Sequence, residues 1–167
     1  RDNPVQIVQQ YLKWADSYQE NQITLVYDTM WNGTRVMAEN IAAGLRETDP
    51  MVNVKLFNLA KSDRNDVMTE IFKSRALLVG SPTINRTILT SIAGLLEEMK
   101  GLKFKNKKAA AFGCYGWSGE SVKVIKGQLE AAGFQVVDEG LRCPWNPDQQ
   151  SVESCVAYGK KLVGQLA

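Results

Sequence analysis

Hydrophobic and polar positions change period along this chain in a regular way, from short apolar runs to stripes spaced three and four apart and back. The runs at 23–27, 52–57, 75–80, 108–113 and 135–138 read as strands. Stripes at 34–46, 65–73, 87–99, 119–132 and 149–166 read as helices. Strict alternation predicts parallel strands joined by right-handed crossovers, hence a three-layer α/β sandwich. Ile23–Tyr27, Ala76–Val79 and Ala109–Phe112 are nearly all apolar, as strands covered on both faces must be. Val52-Asn53-Val54-Lys55-Leu56 alternates instead, and Gln135-Val136-Val137-Asp138 is short and polar at both ends. Those two belong at the edges. A five-stranded parallel sheet in the order 2-1-3-4-5 follows, with strands 1, 3 and 4 inside.

The helical stripes Leu89, Ile92, Leu95, Leu96 and Met99, and Val152, Cys155, Val156, Leu162, Val163 and Leu166, are core-facing. Gly101 and Gly133 stop the helices before them. Ahead of the first strand, Asn3-Pro4 caps a helix that runs to about Ser17. It carries one stripe of Val5, Val8 and Leu12 and another of Ile7, Tyr11, Trp14 and Tyr18. Two stripes suggest two neighbours, one being this domain and the other a domain outside the sequence; a surface helix with amphipathic aromatics is the alternative. The chain opens on Arg1, as a segment of a longer protein would. The expected division is a linker helix over residues 1–21 and a domain over 22–167.

Ligands of such a sheet bind at the carboxyl ends of the strands, beside the switch point between strands 1 and 3. After strand 1 the chain reads Asp28-Thr29-Met30-Trp31-Asn32-Gly33-Thr34 and enters a helix. Hydroxyls, an amide and a glycine at a helix N-terminus offer free backbone N–H groups and a positive dipole end, which suit a phosphate. No Lys or Arg lies in the loop, so neutral donors would hold the dianion. The same residues also suit an ordinary capped turn. After strand 3 comes Gly80-Ser81-Pro82-Thr83-Ile84-Asn85, and after strand 4 Gly113-Cys114-Tyr115-Gly116-Trp117-Ser118-Gly119. Both are rich in glycine, hydroxyls or aromatics and free of charge until Arg86 and Glu120. A phosphate cradle beside two uncharged loops fits a ligand with a phosphate tail and a flat ring. Trp31, Tyr115 and Trp117 offer π-faces for that ring.

Composition removes other chemistries. The chain has no histidine, which excludes the usual zinc sites, a Ser-His-Asp triad and the commonest general base. Cys114, Cys143 and Cys155 are too far apart for a CxxC motif and odd in number, so reduced thiols in a cytoplasmic protein are expected. The net charge of +2 implies no polyanion partner, and Lys103-Phe104-Lys105-Asn106-Lys107-Lys108 reads as a solvated turn rather than a nucleic-acid patch. No apolar run is long enough for a membrane span, and no signal peptide opens the chain. A receiver domain needs an aspartate after strand 3, where Gly80-Ser81-Pro82 stands. A low-molecular-weight phosphatase needs an arginine six residues after its cysteine, where Cys114 has Glu120 and Cys143 has Gln149.

Taken together, Thr29–Thr34, Gly80-Ser81-Pro82-Thr83 and Tyr115-Gly116-Trp117-Ser118-Gly119 resemble a short-chain flavodoxin domain. Tyr27-Asp28-Thr29-Met30 and Phe112-Gly113-Cys114-Tyr115-Gly116-Trp117-Ser118-Gly119 narrow the resemblance to the flavodoxin-like module of flavo-diiron proteins, including flavorubredoxins. It covers about residues 23–166, and the leading helix resembles that family's connection from its diiron domain. The resemblance implies a flavodoxin-like three-layer sandwich holding one FMN. Thr29, Met30, Trp31, Asn32, Gly33 and Thr34 would hold the phosphate. Ser81, Pro82, Thr83, Ile84 and Asn85, with Tyr115, Gly116, Trp117, Ser118 and Gly119, would hold the ring. It further implies electron transfer from a rubredoxin or its reductase to the diiron centre of a metallo-β-lactamase-like domain in the facing subunit. Free flavodoxins are strongly acidic and this chain is not, which fits a module tethered to its partner. The diiron ligands are absent, so this chain alone would not reduce oxygen or nitric oxide. An FMN-dependent NAD(P)H:quinone reductase and a flavin-free docking module of the same fold are the alternatives.

Overall fold

A computed structural model describes residues 3–166. Arg1, Asp2 and Ala167, the outer ends of the two expected segments, lie outside the described residues. Helix α1 spans Pro4–Ala15, followed by β1 (Glu20–Tyr27), α2 (Gly33–Thr48) and β2 (Asn53–Asn58). A 3-10 turn at Leu59–Lys61 leads to α3 (Arg64–Lys73) and β3 (Ser74–Gly80), then α4 (Thr90–Leu102) and β4 (Lys108–Tyr115). The chain closes with α5 (Glu120–Ala131), β5 (Gln135–Val136), β6 (Leu141–Pro144) and α6 (Gln149–Leu166). All ladders of the sheet are parallel and run in the order β2-β1-β3-β4-β5, as the alternation of elements requires.

Several boundaries differ from the sequence reading: β1 begins at Glu20 rather than 23, inside the expected linker, α1 ends at Ala15, and two further differences have a visible cause. The fifth position of the sheet is filled by two short strands, not one at 135–138. Gln135 and Val136 pair with Lys108 and Ala109, the chain breaks away around Gly140 at φ +80°, and Leu141–Pro144 pairs with Phe112–Tyr115. Glycine permits that turn, where a side chain would be strained. Helix α4 begins at Thr90 rather than 87, because Ile84 and Thr87 exchange both backbone hydrogen bonds across a tight reversal. Asn85 and Arg86 both hold left-handed conformations there, at φ +48° and +59°.

Side chains alternate across the sheet with period two and feed two cores. Ile23, Leu25, Ala76, Leu78, Ala110 and Phe112 pack beneath α2 and α6, whose Met37, Ile41, Leu45 and Leu162 are buried there. Val26, Leu77, Val79, Ala109 and Ala111 pack beneath α3, α4 and α5, against Ile71, Ile92, Leu95, Met99, Ile125 and Leu129. The sheet is therefore apolar on both faces, and its carboxyl edge is free to present loops.

Helix α1 stands apart. Asn3 caps it by accepting from Gln6 N at 3.2 Å, with Pro4 in the first turn, yet none of its residues is buried. Trp14 stacks on Phe72 at 4.9 Å and so reaches the domain. Val5, Val8 and Leu12 are exposed, and so are Ile7 and Tyr11 of the stripe that carries Trp14. Among the described residues no helix is long and apolar enough to cross a membrane.

Candidate functional site

The loops after β1, β3 and β4 meet at the carboxyl edge of the sheet and enclose a cleft of about 880 Å³. That volume lies within the range of small-molecule sites. Of the expected residues, Met30, Trp31, Gly33, Pro82, Thr83, Ile84, Asn85, Tyr115, Gly116, Trp117 and Ser118 line it. Thr29, Asn32, Thr34, Ser81 and Gly119 stand behind or beside that lining. Their roles are legible from their contacts.

In the first loop, Asn32 adopts φ +64° ahead of α2, a conformation asparagine tolerates, and its side chain makes no cap bond. The first helical bond runs from Val36 N to Asn32 O at 3.0 Å, so the amides of Gly33, Thr34 and Arg35 precede the ladder. Thr29 Oγ1 is buried and has no hydrogen-bond partner. Thr34 is buried, with Oγ1 3.2 Å from Cys114 Sγ. Asp28 is engaged by hydrogen bonds of its own. Its carboxylate accepts from Thr29 N at 2.7 Å and from the Ser91 hydroxyl at the start of α4.

The other loops are braced from below. Fully buried Ser81 donates through Oγ to Pro82 O at 2.9 Å and accepts from Leu89 N at 3.0 Å. Thr83 N donates to Cys114 O at 2.9 Å, and Thr83 Oγ1 accepts from Ser121 N at 3.1 Å. Gly119 precedes α5, and a Cβ there would stand 3.1 Å from the Tyr115 ring. Burial pushes the Cys114 thiol pKa up, which keeps the sulfur protonated. It is half-buried and lines the cleft.

Four lining residues lay outside the expected set: Arg86, Cys114, Trp145 and Asn146. Arg86 is the one charged residue of the lining among the described residues. Trp145 and Asn146 follow β6, whose place beside β4 brings the loop after it to the carboxyl edge. A Cβ on Gly33 would stand 3.0 Å from Asn146 Oδ1, so this fourth loop flanks the first. The signal was present in the aromatic Trp145 between Pro144 and Asn146, but it becomes meaningful only once β6 is placed.

The donor set suits a phosphorylated flat-ring ligand. A partnerless buried hydroxyl and the leading amides of α2 suit the anion, and the aromatic walls suit the ring.

This sheet order and these crossovers define a flavodoxin-like α/β protein. The sequence pattern of the flavodoxin family matches residues 25–159, and the chain belongs to that family. It is 52% identical to an anaerobic nitric oxide reductase flavorubredoxin of Escherichia coli O1:K1 over its whole length, which is 35% of that protein. Among solved structures it superposes on rubredoxin oxygen:oxidoreductase from Desulfovibrio gigas with a TM-score of 0.87 and 34% identity, over 95% of this chain and 39% of that one. A flavodoxin from the domain Archaea matches with a TM-score of 0.77 and 26% identity, over 87% of this chain and 98% of the other. The chain thus spans about a third of the flavorubredoxin that it matches.

Proposed function

We propose that this chain is the FMN-binding electron-transfer unit of a larger reductase. The observation that carries the reading is the pairing, at one cleft, of the leading amides of α2 with walls of Trp, Tyr and Ile, the partnerless hydroxyl of Thr29 standing behind that lining. Thr29, Met30, Trp31, Asn32, Gly33 and Thr34 take the phosphate. Ser81, Pro82, Thr83, Ile84, Asn85, Tyr115, Gly116, Trp117, Ser118 and Gly119 frame the ring, partly by lining it and partly by holding the loops that do. Bound FMN supplies one- and two-electron chemistry. The chain's residues bind it, orient its ring at the sheet edge and keep water from its faces. No side chain acts as acid or base.

On the resemblance to flavo-diiron proteins we further propose that a rubredoxin or its reductase supplies electrons and that a diiron centre in a metallo-β-lactamase-like domain of the facing subunit receives them, in a cytoplasmic protein. Residues 1–21 connect to that further domain, and the exposed Val5, Val8 and Leu12 of α1 pack against it. The test is an absorbance spectrum after incubation with excess FMN and desalting. Flavin bands at about one per chain support the reading. A folded, colourless chain overturns it in favour of a docking module, and quinone-dependent NAD(P)H oxidation by the chain alone would replace electron transfer with a quinone reductase.

A further inference from the structure

The turn after β6 carries a strain that packing does not explain. Trp145 holds φ +54°, a left-handed conformation costly for a bulky side chain. Its amide donates to Tyr115 O at 2.7 Å, which pins the turn to the end of β4. Its indole meets Trp117 edge-on, with ring centroids 5.7 Å apart and planes at 66°. Gly116 makes room for this approach, since a Cβ there would stand 3.3 Å from the Trp145 ring. Yet Trp145 is 63% exposed and Trp117 91%, so neither indole is placed by burial in the core. Backbone strain held at a solvent-facing aromatic beside a cleft points to use at that cleft.

We propose that Trp145 is a positioning residue, which holds the Trp117 indole edge-on as a preformed outer wall for the flat ring of the ligand. This rests on the flavin reading above. An exposed tryptophan samples several rotamers, and a ligand that stacks on it must first order it. An edge-to-face partner on a pinned turn narrows that choice before the ligand arrives. The effect is directed at the ring and is indifferent to the phosphate.

The test uses Trp145→Gly and Trp145→Phe. Glycine accepts the left-handed turn without strain and removes the edge, so the thermal midpoint is expected to stay level or rise while affinity falls. FMN and riboflavin are both expected to bind Trp145→Gly about tenfold more weakly, by the same factor, with most of the loss recovered in Trp145→Phe. Fluorine NMR of 5-fluorotryptophan protein without flavin tests the positioning itself: the Trp117 resonance is expected to shift toward the solvent-exposed value in Trp145→Gly. An unmoved Trp117 resonance overturns the inference, as does flavin affinity equal to wild type. A parallel loss of stability and affinity that phenylalanine does not rescue also overturns it, because it would mark a merely structural residue. Wild-type protein that takes up no flavin defeats the functional reading and the ligand half of this inference together, while the fluorine spectrum still decides whether Trp145 holds Trp117.

Discussion

At the amino ends of the strands, Gln22, Thr24 and Ser74 are buried and bonded to one another, whereas at the carboxyl ends Thr29 Oγ1 is buried and bonded to nothing. The amino-end network is extensive. Gln22 Nε2 donates to Ser74 Oγ and Glu70 Oε2 at 3.0 Å each, and its Oε1 accepts from Asn53 Nδ2 at 2.8 Å. Lys107, 4% exposed, donates to Phe72 O at 2.9 Å and to Ser74 O, tying the end of α3 to the start of β3. Both ends lie on the same sheet and share the same apolar layers. The difference is that the cluster of Gln22, Thr24 and Ser74 is bonded internally while Thr29 Oγ1 has no partner at the ligand edge; at the amino end the Nε1 of Trp14, stacked on Phe72, is likewise buried without one. Buried polar groups in folded proteins are normally paired, so an unpaired one at the edge where such sheets bind ligands is informative.

Breaking the open end should affect binding without harming the fold. Asn32→Asp adds a carboxylate beside the proposed phosphate while leaving a residue that tolerates the left-handed turn. FMN affinity is expected to fall about a hundredfold, because like charges in a partly desolvated site repel strongly. Stability is expected to rise by about 0.3–1 kcal/mol, since an acidic group favours a helix N-terminus. Fluorescence titration and thermal melts would separate the two, and unchanged FMN affinity would break the comparison.

Breaking the amino end should do the reverse. Lys107→Met leaves Phe72 O and Ser74 O without their donor, and a loss of about 1–3 kcal/mol is expected by denaturant titration at pH 7. Flavin affinity should stay at the wild-type value. The dependence on pH sharpens the point. Burial pushes the Lys107 pKa down to about 8, whereas in the unfolded chain it titrates near 10.4. Between those values the unfolded state binds more protons, so the stability contributed at this site rises with pH. The gap between wild type and Lys107→Met is therefore expected to widen from pH 8 to pH 10, and a gap that narrows would contradict the assignment.

The same contrast explains what could be read from sequence. The two cores were legible, because Ile23, Leu25, Leu77, Val79 and Phe112 sit in runs whose period is set by burial alone. The edge order was legible too, since Val52–Leu56 alternates and the inner strands do not. Strand β6 was not, because Leu141-Arg142-Cys143-Pro144 is too short and mixed to carry a period and is defined only by its pairing with β4. Missing β6 meant missing Trp145 and Asn146, which reach the cleft because that pairing carries them there. The left-handed pair Asn85-Arg86 likewise moved the start of α4, through a reversal that no apolar pattern records. At the amino end, Lys103–Lys108 reads as a solvated turn, yet Phe104 is buried in the core and Lys107 folds inward onto carbonyls. Such an inversion follows from where α3 ends and cannot be seen in a run of lysines.

The central claim is that neutral donors at the start of α2 hold a phosphate while the neighbouring loops hold a ring. The most direct measurement is the affinity of the unmodified chain for FMN and for riboflavin, which share the ring and differ in the phosphate. FMN is expected to bind at least a hundredfold more tightly, about 2.7 kcal/mol, with riboflavin still bound measurably through the aromatic walls. Equal affinities would show that the first loop holds no phosphate, and no binding of either would remove the flavin altogether.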